Sequence, residues 1–252
     1  MQRSSSSLAI VLRKSRVGEV HKSLTLLTPS LGLIQAMAHG ALKIASRLRP
    51  ASEPFHVLKV YLYHEPVKDQ YKITDVESIE PMAALRRSVA KYFTASLWAE
   101  VCLRSYGGGE QSGALFLLLR EALQLLDRAP ARRELTLSLQ FLLRFLGLSG
   151  HRIDPSSCGR CGLPLEPQVP LYLDREEGLL VCAGCAGSSA RLLLPPGARR
   201  YLLRTQELPL AQAAAVGLER EALAALRETL YHLVQASLEA PLNSLQCGAG
   251  IL

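Results

Sequence analysis

Four cysteines in two tight pairs constrain this 252-residue chain more than any other feature: Cys158-Gly159-Arg160-Cys161 and Cys182-Ala183-Gly184-Cys185, spaced C-x2-C-x20-C-x2-C. Two such pairs can bring four thiolates to the corners of a tetrahedron about 2.3 Å from one Zn²⁺. Each spacer holds a glycine and Gly162 follows the first pair, which suits the sharp turns that face both sulfurs of a pair toward one metal. The intervening segment predicts a hairpin: Leu171-Tyr172-Leu173, a polar turn over Asp174–Gly178, then Leu179-Leu180-Val181. This is the layout of a zinc ribbon, expected over about residues 155–190, with Cys158, Cys161, Cys182 and Cys185 as ligands of one structural zinc ion.

Competing chemistries fit less well. A redox C-x-x-C needs only one pair. A zinc deaminase needs an open coordination position and a glutamate in an H-x-E or C-x-E setting, which His151-Arg152-Ile153 does not supply. A closed four-thiolate site is structural and stands in for hydrophobic core in a segment too small to fold alone. Cys102 and Cys247 are left over, and ordinary packing is expected of both. Six cysteines are too few for a disulfide-stapled scaffold. The apolar run Leu8–Leu12 is too short for a signal peptide and is broken by Arg13-Lys14. The apolar stretches Ala114–Leu126 and Leu135–Leu148 are interrupted by Arg120, Glu121 and Arg144. No membrane segment is expected, and a reducing cytoplasm is the expected compartment.

Up to about Ile79 the texture is strand-like. Short β-rich runs, Leu8–Arg13, Ser23–Thr28, Leu33–Ala38, Phe55–Tyr63 and Tyr71–Ser78, alternate with turn residues. In Phe55–Tyr63 both alternate faces are largely apolar, so cover on each side is expected. Five short strands in under 80 residues with no intervening helix predict a small barrel over residues 1–80. Ser4–Ser7 reads as a frayed end.

After Pro81 the pattern turns helical, and residues 81–252 are expected to form a helical body carrying the zinc module. Helices are predicted over Met82–Tyr106, Ser112–Asp127 and Glu134–Leu148, with Gly107-Gly108-Gly109 as a helix stop followed by flexible backbone. Leu223, Leu226, Leu230, Leu233 and Val234 recur at helical spacing and read as packed core. The fold class is therefore α+β and multidomain: a small five-stranded β-barrel, then a mostly α-helical body with an embedded four-cysteine ribbon.

The charge is concentrated at the front. From Met1 to Lys59 there are nine basic residues, Arg3, Arg13, Lys14, Arg16, Lys22, Lys43, Arg47, Arg49 and Lys59, against Glu19 and Glu53. That local excess equals the +7 of the whole chain. Basic charge on a small barrel is the footprint of a phosphate-backbone binder, although a solvated face has the same composition. Phe55, Tyr61, Tyr63 and Tyr71 could stack bases, or serve as core at strand spacing. No nucleophile–base set, Walker loop or carboxylate cluster is visible, which favours a binding protein over an enzyme.

In their order along the chain these features resemble the RecO family of bacterial DNA-repair and recombination mediators. The resemblance is carried by Ile10-Val11-Leu12-Arg13, Gly18-Glu19, Thr25-Leu26-Leu27-Thr28-Pro29 and Ala38-His39-Gly40-Ala41 ahead of a basic loop. It continues in Phe141–Leu148 upstream of Cys158-Gly159-Arg160-Cys161-Gly162, and in Leu242-Asn243-Ser244-Leu245. Val20-His21-Lys22 departs from the more polar, acid-bearing turn common in the family.

The resemblance implies an OB-fold, a helical body and a zinc module. It also implies a non-catalytic role at the nucleoid: binding single- and double-stranded DNA, annealing complementary strands coated by single-strand binding protein, and helping RecR to load the recombinase. Carried over by position, the DNA contacts fall among Arg13, Lys14, Arg16, Lys22, Lys43, Arg47 and Arg49. Recognition of the acidic, aromatic C-terminal tail of single-strand binding protein is expected in the helical region, near Arg120, Arg132, Arg133, Arg144, Arg199, Arg200 and Arg204. The alternative is a zinc-ribbon scaffold that binds only proteins.

Overall fold

The computed structural model describes residues 4–187 and 192–248; Arg3 of the basic segment lies outside them. Packing divides the chain into two compact units, Met1–Pro130 with Leu242–Leu252, and Ala131–Pro241.

The first unit is built on a barrel of β1 (Ser4–Val17), β2 (His21–Thr28), β3 (Gly32–Ala38), β4 (Val57–Glu65) and β5 (Gln70–Glu80), with the short helix α1 (Leu48–Ala51) between β3 and β4. The barrel closes in the order β1-β2-β3-β5-β4, with β3 and β5 parallel through Ala36↔Tyr71 and Met37↔Lys72. This is the small five-stranded barrel that the strand runs predict, and of the OB type that the resemblance implies. Alternate residues point inward: Ala9 and Val11, Leu24 and Leu26, Ile34, Ala36 and Ala38, Leu58, Val60 and Leu62 form one core cluster.

β1 serves two partners. Ser4–Ile10 pairs with β4 and Ile10–Val17 with β2, with a bulge between Val11 and Arg13. The bulge lets one long strand turn from one neighbour to the other, as barrel corners require. Ser4–Ser7 is thus not a frayed end but the start of β1, hydrogen-bonded opposite Val60–Tyr63. Its polar residues hide this, because the pairing is supplied by a strand more than fifty residues away. The expected double cover of Phe55–Tyr63 holds only at its start. Phe55–Leu58 are buried, whereas Lys59, Tyr61 and Tyr63 on the outer face are half-exposed.

Helices α2 (Val89–Arg104) and α3 (Ser112–Arg128) pack on the barrel within the same unit. The Ser88 side chain accepts from the Lys91 N–H and caps α2, so the helix starts later than Met82. The three glycines are not slack. Tyr106–Gln111 forms a 3₁₀ turn, and a Cβ on Gly107 (φ +71°) would lie 2.9 Å from the Leu33 Cβ. Only glycine permits that approach to β3.

The second unit contains α4 (Glu134–Leu148), β6 (Leu171–Asp174), β7 (Leu179–Val181), β8 (Leu192–Leu194), α5 (Pro196–Thr205), α6 (Leu210–Ala215) and α7 (Arg220–Ser237). The stripe on α7 is core at Leu226, Leu230, Leu233 and Val234, with Leu223 half-buried. The expected hairpin is present, and β8 adds a third strand beside β6 in the order β7-β6-β8. The last helix, α8 (Asn243–Cys247), belongs to the first unit, where Glu100 of α2 accepts from the N–H groups of Asn243 and Ser244. Cys102 is fully buried as expected; Cys247 is exposed, contrary to the expectation of packing. Among the described residues no helix is long and apolar enough to cross a membrane.

Candidate metal centre and nucleic-acid interface

The sulfur atoms of Cys158, Cys161, Cys182 and Cys185 all lie within 4.8 Å of one another. Each pair is folded into a turn. The Gly162 N–H donates to the Cys158 carbonyl at 2.9 Å with Gly162 at φ +70°, and the Ala186 N–H donates to the Cys182 carbonyl at 2.9 Å. The two turns meet because the Gly159 N–H bonds the Leu180 carbonyl at 2.8 Å, where an added Cβ would come to 3.1 Å of that oxygen. Cys161 Sγ and Cys182 Sγ are 4.0 Å apart. Four sulfurs on a tetrahedron with metal–sulfur bonds of about 2.3 Å stand about 3.8 Å apart. The donor set therefore fits a tetrahedral metal ion.

The local field also prepares a thiolate. Burial alone would raise the Cys158 thiol, but backbone N–H groups of Cys161, Cys182 and Arg160 draw it down to about 6. Hydrogen bonding with the Cys161 and Cys182 thiols pushes Cys185 up to about 12. Cys158 and Cys185 thus hold their protons with very different strength before any cation replaces them.

Two arginines that sequence reasoning did not assign to this centre hold it. Arg160, between the first two cysteines, donates to the Cys185 carbonyl at 2.6 Å and to Asp174 Oδ2 at 2.7 Å, and pairs with Glu177 at 2.7 Å. Its signal was its place inside the motif. Arg199 on α5 is fully buried. Its guanidinium donates to the carbonyls of Pro155 (2.6 Å), Ser156 (3.3 Å), Leu165 (2.6 Å), Val169 (2.8 Å) and Glu166, which fastens the chain on both sides of the first cysteine pair. No local pattern marks it, since its partners are backbone carbonyls 30 or more residues upstream.

In the first unit, Arg13, Lys14 and Arg16 are exposed on the outer half of β1, and Lys43, Arg47 and Arg49 are exposed in the β3–β4 connection. Arg16 donates to the carbonyls of Gly18 (3.0 Å) and Glu19 (3.4 Å) at the β1–β2 tip, and Lys14 pairs with Glu53. Among the described residues Arg13, Lys43, Arg47 and Arg49 carry no ion pair. Lys22 departs from the expectation of a DNA contact. It is 6% exposed, and its Nζ is taken by Ser52 Oγ at 2.6 Å and Glu53 Oε1 at 3.3 Å. Phe55 is likewise buried and not a platform, whereas Tyr61, Tyr63 and Tyr71 are half-exposed. Lys59 lies 5.1 Å over the Tyr61 ring, and the Tyr61 hydroxyl donates to Glu77.

Of the seven arginines expected near a tail-binding site, several are internally engaged. Arg120 pairs with Glu80, Arg133 donates to the Ala214 carbonyl, Arg144 donates to the Leu208 carbonyl, and Arg199 is buried. Arg132, Arg200 and Arg204 are exposed.

A closed OB-type barrel with basic residues on its outer strands, followed by a helical body that embeds four cysteines in metal-binding geometry, is an architecture used by nucleic-acid-binding proteins. Comparison with known proteins narrows the class. Residues 1–82 match the family model for the recombination protein O N-terminal region, and residues 86–246 match that for its C-terminal region. The chain is 34% identical over 229 residues to a DNA repair protein RecO of Anaeromyxobacter sp. (88% of this chain, 89% of the relative). It is 32% identical over 241 residues to that of Desulfosudis oleivorans (90% and 92%). With that of Heliobacterium modesticaldum it shares 35% identity over 233 residues (88% and 82%). The chain belongs to the RecO family, which supports a role in recombination repair. The family boundary, between residues 82 and 86, falls at the end of the barrel, while the packing boundary lies at Pro130 because α2 and α3 lean on the barrel.

Proposed function

We propose that this protein is a non-catalytic recombination mediator that binds single- and double-stranded DNA through the basic outer face of its barrel and anneals complementary strands. The observation that carries this reading is the row of exposed cations on β1 and the β3–β4 connection of an OB-type barrel. Faces and loops of such barrels hold oligonucleotides. Contacts are assigned to Arg13, Lys14, Arg16, Lys43, Arg47 and Arg49; Lys22 is left out because its ammonium is internal. Two complementary strands repel, and a basic surface that neutralises phosphates while leaving base edges free speeds their pairing without ATP.

The ion at the four cysteines is one structural zinc. Thiolate donors select soft or borderline cations, and four of them close the coordination sphere. It supplies folding energy to the ribbon, while Cys158, Cys161, Cys182 and Cys185 hold it and Arg160 and Arg199 hold them.

RecR and single-strand binding protein are the proposed protein partners, and the cytoplasm, at the nucleoid, is the proposed compartment. For the acidic, aromatic tail of the latter, Arg200 and Arg204 flank Leu203 on the exposed side of α5, which offers guanidinium groups beside apolar surface. The deciding experiment is annealing of complementary oligonucleotides, bare and coated with single-strand binding protein, across a salt series. Acceleration that declines steeply with salt supports the reading. No acceleration, with no oligonucleotide affinity at low salt, refutes it.

A further inference from the structure

We propose that the groove between β1 and α2 is a nucleobase subsite, in which Tyr92 stacks a base of a single strand whose phosphates lie along Arg13 and Lys14. This rests on the DNA-binding reading above and adds a specific contact outside the barrel's own strands.

The groove has a volume of about 300 Å³. Leu12, Pro54, Phe55 and Leu103 form its apolar lining, Arg13 and Lys14 one lip, and Tyr92 the other. Tyr92 is 41% exposed, an unusual place for an aromatic ring beside two cations. The ring does not swing freely. Phe55, 2% exposed, meets it edge-on with centroids 5.4 Å apart and planes at 69°. Phe55 is itself pinned, its N–H bonded to the Val11 carbonyl at 2.7 Å. The aromatic residue that the strand pattern offers for stacking is therefore the buttress, and the exposed ring is the one it braces. A rigid aromatic platform binds a flat base with little entropy loss.

The electrostatics favour a phosphate chain. Among the described residues Arg13 carries no ion pair, and Arg86 adds a third cation beside Pro54 of the lining, bonded to the Pro54 and Pro81 carbonyls at 3.4 Å and 2.8 Å. The acid on the lining, Glu100, has both oxygens engaged by the N–H groups of Asn243 and Ser244. Glu53 is held between Lys14 and Lys22. The row from Arg13 to Arg16 runs about 10 Å along β1, which suits successive phosphates more than one terminal carboxylate cluster.

The test measures binding of the full chain to a single-stranded oligonucleotide by fluorescence anisotropy, against an abasic strand of equal length. Y92A should weaken binding to the normal strand about tenfold, with the salt slope unchanged, because stacking releases no counterions. Y92F should bind within about twofold of wild type, and on the abasic strand the three proteins should agree. Wild-type affinity in a folded Y92A, or an equal loss on the abasic strand, overturns the proposal. So does Tyr92-dependent binding of an acidic aromatic peptide without any Tyr92 effect on DNA. If wild type binds no oligonucleotide, the DNA-binding reading itself has failed, and the subsite with it. Should Y92A not fold, photo-crosslinking wild type to a 5-bromouracil strand replaces it: adducts on Tyr92 support the subsite, and adducts only elsewhere overturn it.

Discussion

The guanidinium of Arg160, which stands between Cys158 and Cys161 in the chain, donates to the carbonyl oxygen of Cys185 at 2.6 Å. One side chain therefore ties the first cysteine turn to the end of the second, while its other nitrogens fix Asp174 and Glu177 in the hairpin turn. The four sulfurs are drawn together by this clamp as well as by any ion they bind. Groups behind metal ligands commonly change affinity by about 10- to 100-fold when removed. Arg160→Ala should accordingly release zinc to a chelator at least about tenfold faster than wild type, with Arg160→Lys intermediate. Release at the wild-type rate would show that the clamp adds nothing to the centre.

Cys182→Ser should abolish stoichiometric metal, as measured by elemental analysis of reduced protein. It should also open the segment from Leu163 to Val181 to proteolysis, because ion binding contributes directly to folding in so small a module. Full zinc content in this variant would remove Cys182 from the ligand set.

Replacing Arg13, Lys14 and Arg16 with alanine should lower the salt slope of DNA binding by roughly one unit for each phosphate no longer neutralised. An unchanged slope would move the footprint off β1.

Lys22 should behave differently from its neighbours. Lys22→Ala leaves Ser52 and Glu53 without their buried partner, and should cost about 1–3 kcal/mol of stability in denaturant titration. The salt slope should stay as in wild type. The pH dependence follows from Glu53. Burial pushes its carboxyl up, but Lys14 and Lys22 more than offset this and hold it below the usual range. A group with a depressed folded pKa adds stability that is complete above its unfolded value and is lost as pH falls through the folded one. The gap between wild type and Lys22→Ala in acid unfolding should therefore narrow as pH falls through the lowered Glu53 pKa, leaving the Ser52 contribution. A gap that widens with acid would contradict this assignment.

Arg199→Met should destabilise the second unit by at least about 3 kcal/mol, since it strands one buried and several part-buried carbonyls together. Thermal unfolding of the variant checks it, and a midpoint within a degree of wild type would refute the role.

The chain's local patterns determined a good deal. Short β-rich runs over Ser23–Thr28 and Phe55–Tyr63 marked barrel strands, and the helical pattern located α4 from Glu134 to Leu148. The cysteine spacing announced a four-sulfur cluster. These properties repeat every two or 3.6 residues, or turn on tight loops, so a single segment carries them. What only the tertiary structure decided was where each exceptional side chain ended. Ser4–Ser7 became strand because β4 arrived beside it, and Lys22 went inside because Ser52 and Glu53 were there to receive its ammonium. Phe55 was buried under Tyr92, and Arg199 found its carbonyls in a loop 30 or more residues upstream. Burial and charge state depend on neighbours distant in sequence. No window of the chain holds both partners of such a pairing, so their outcome is settled only when the units close.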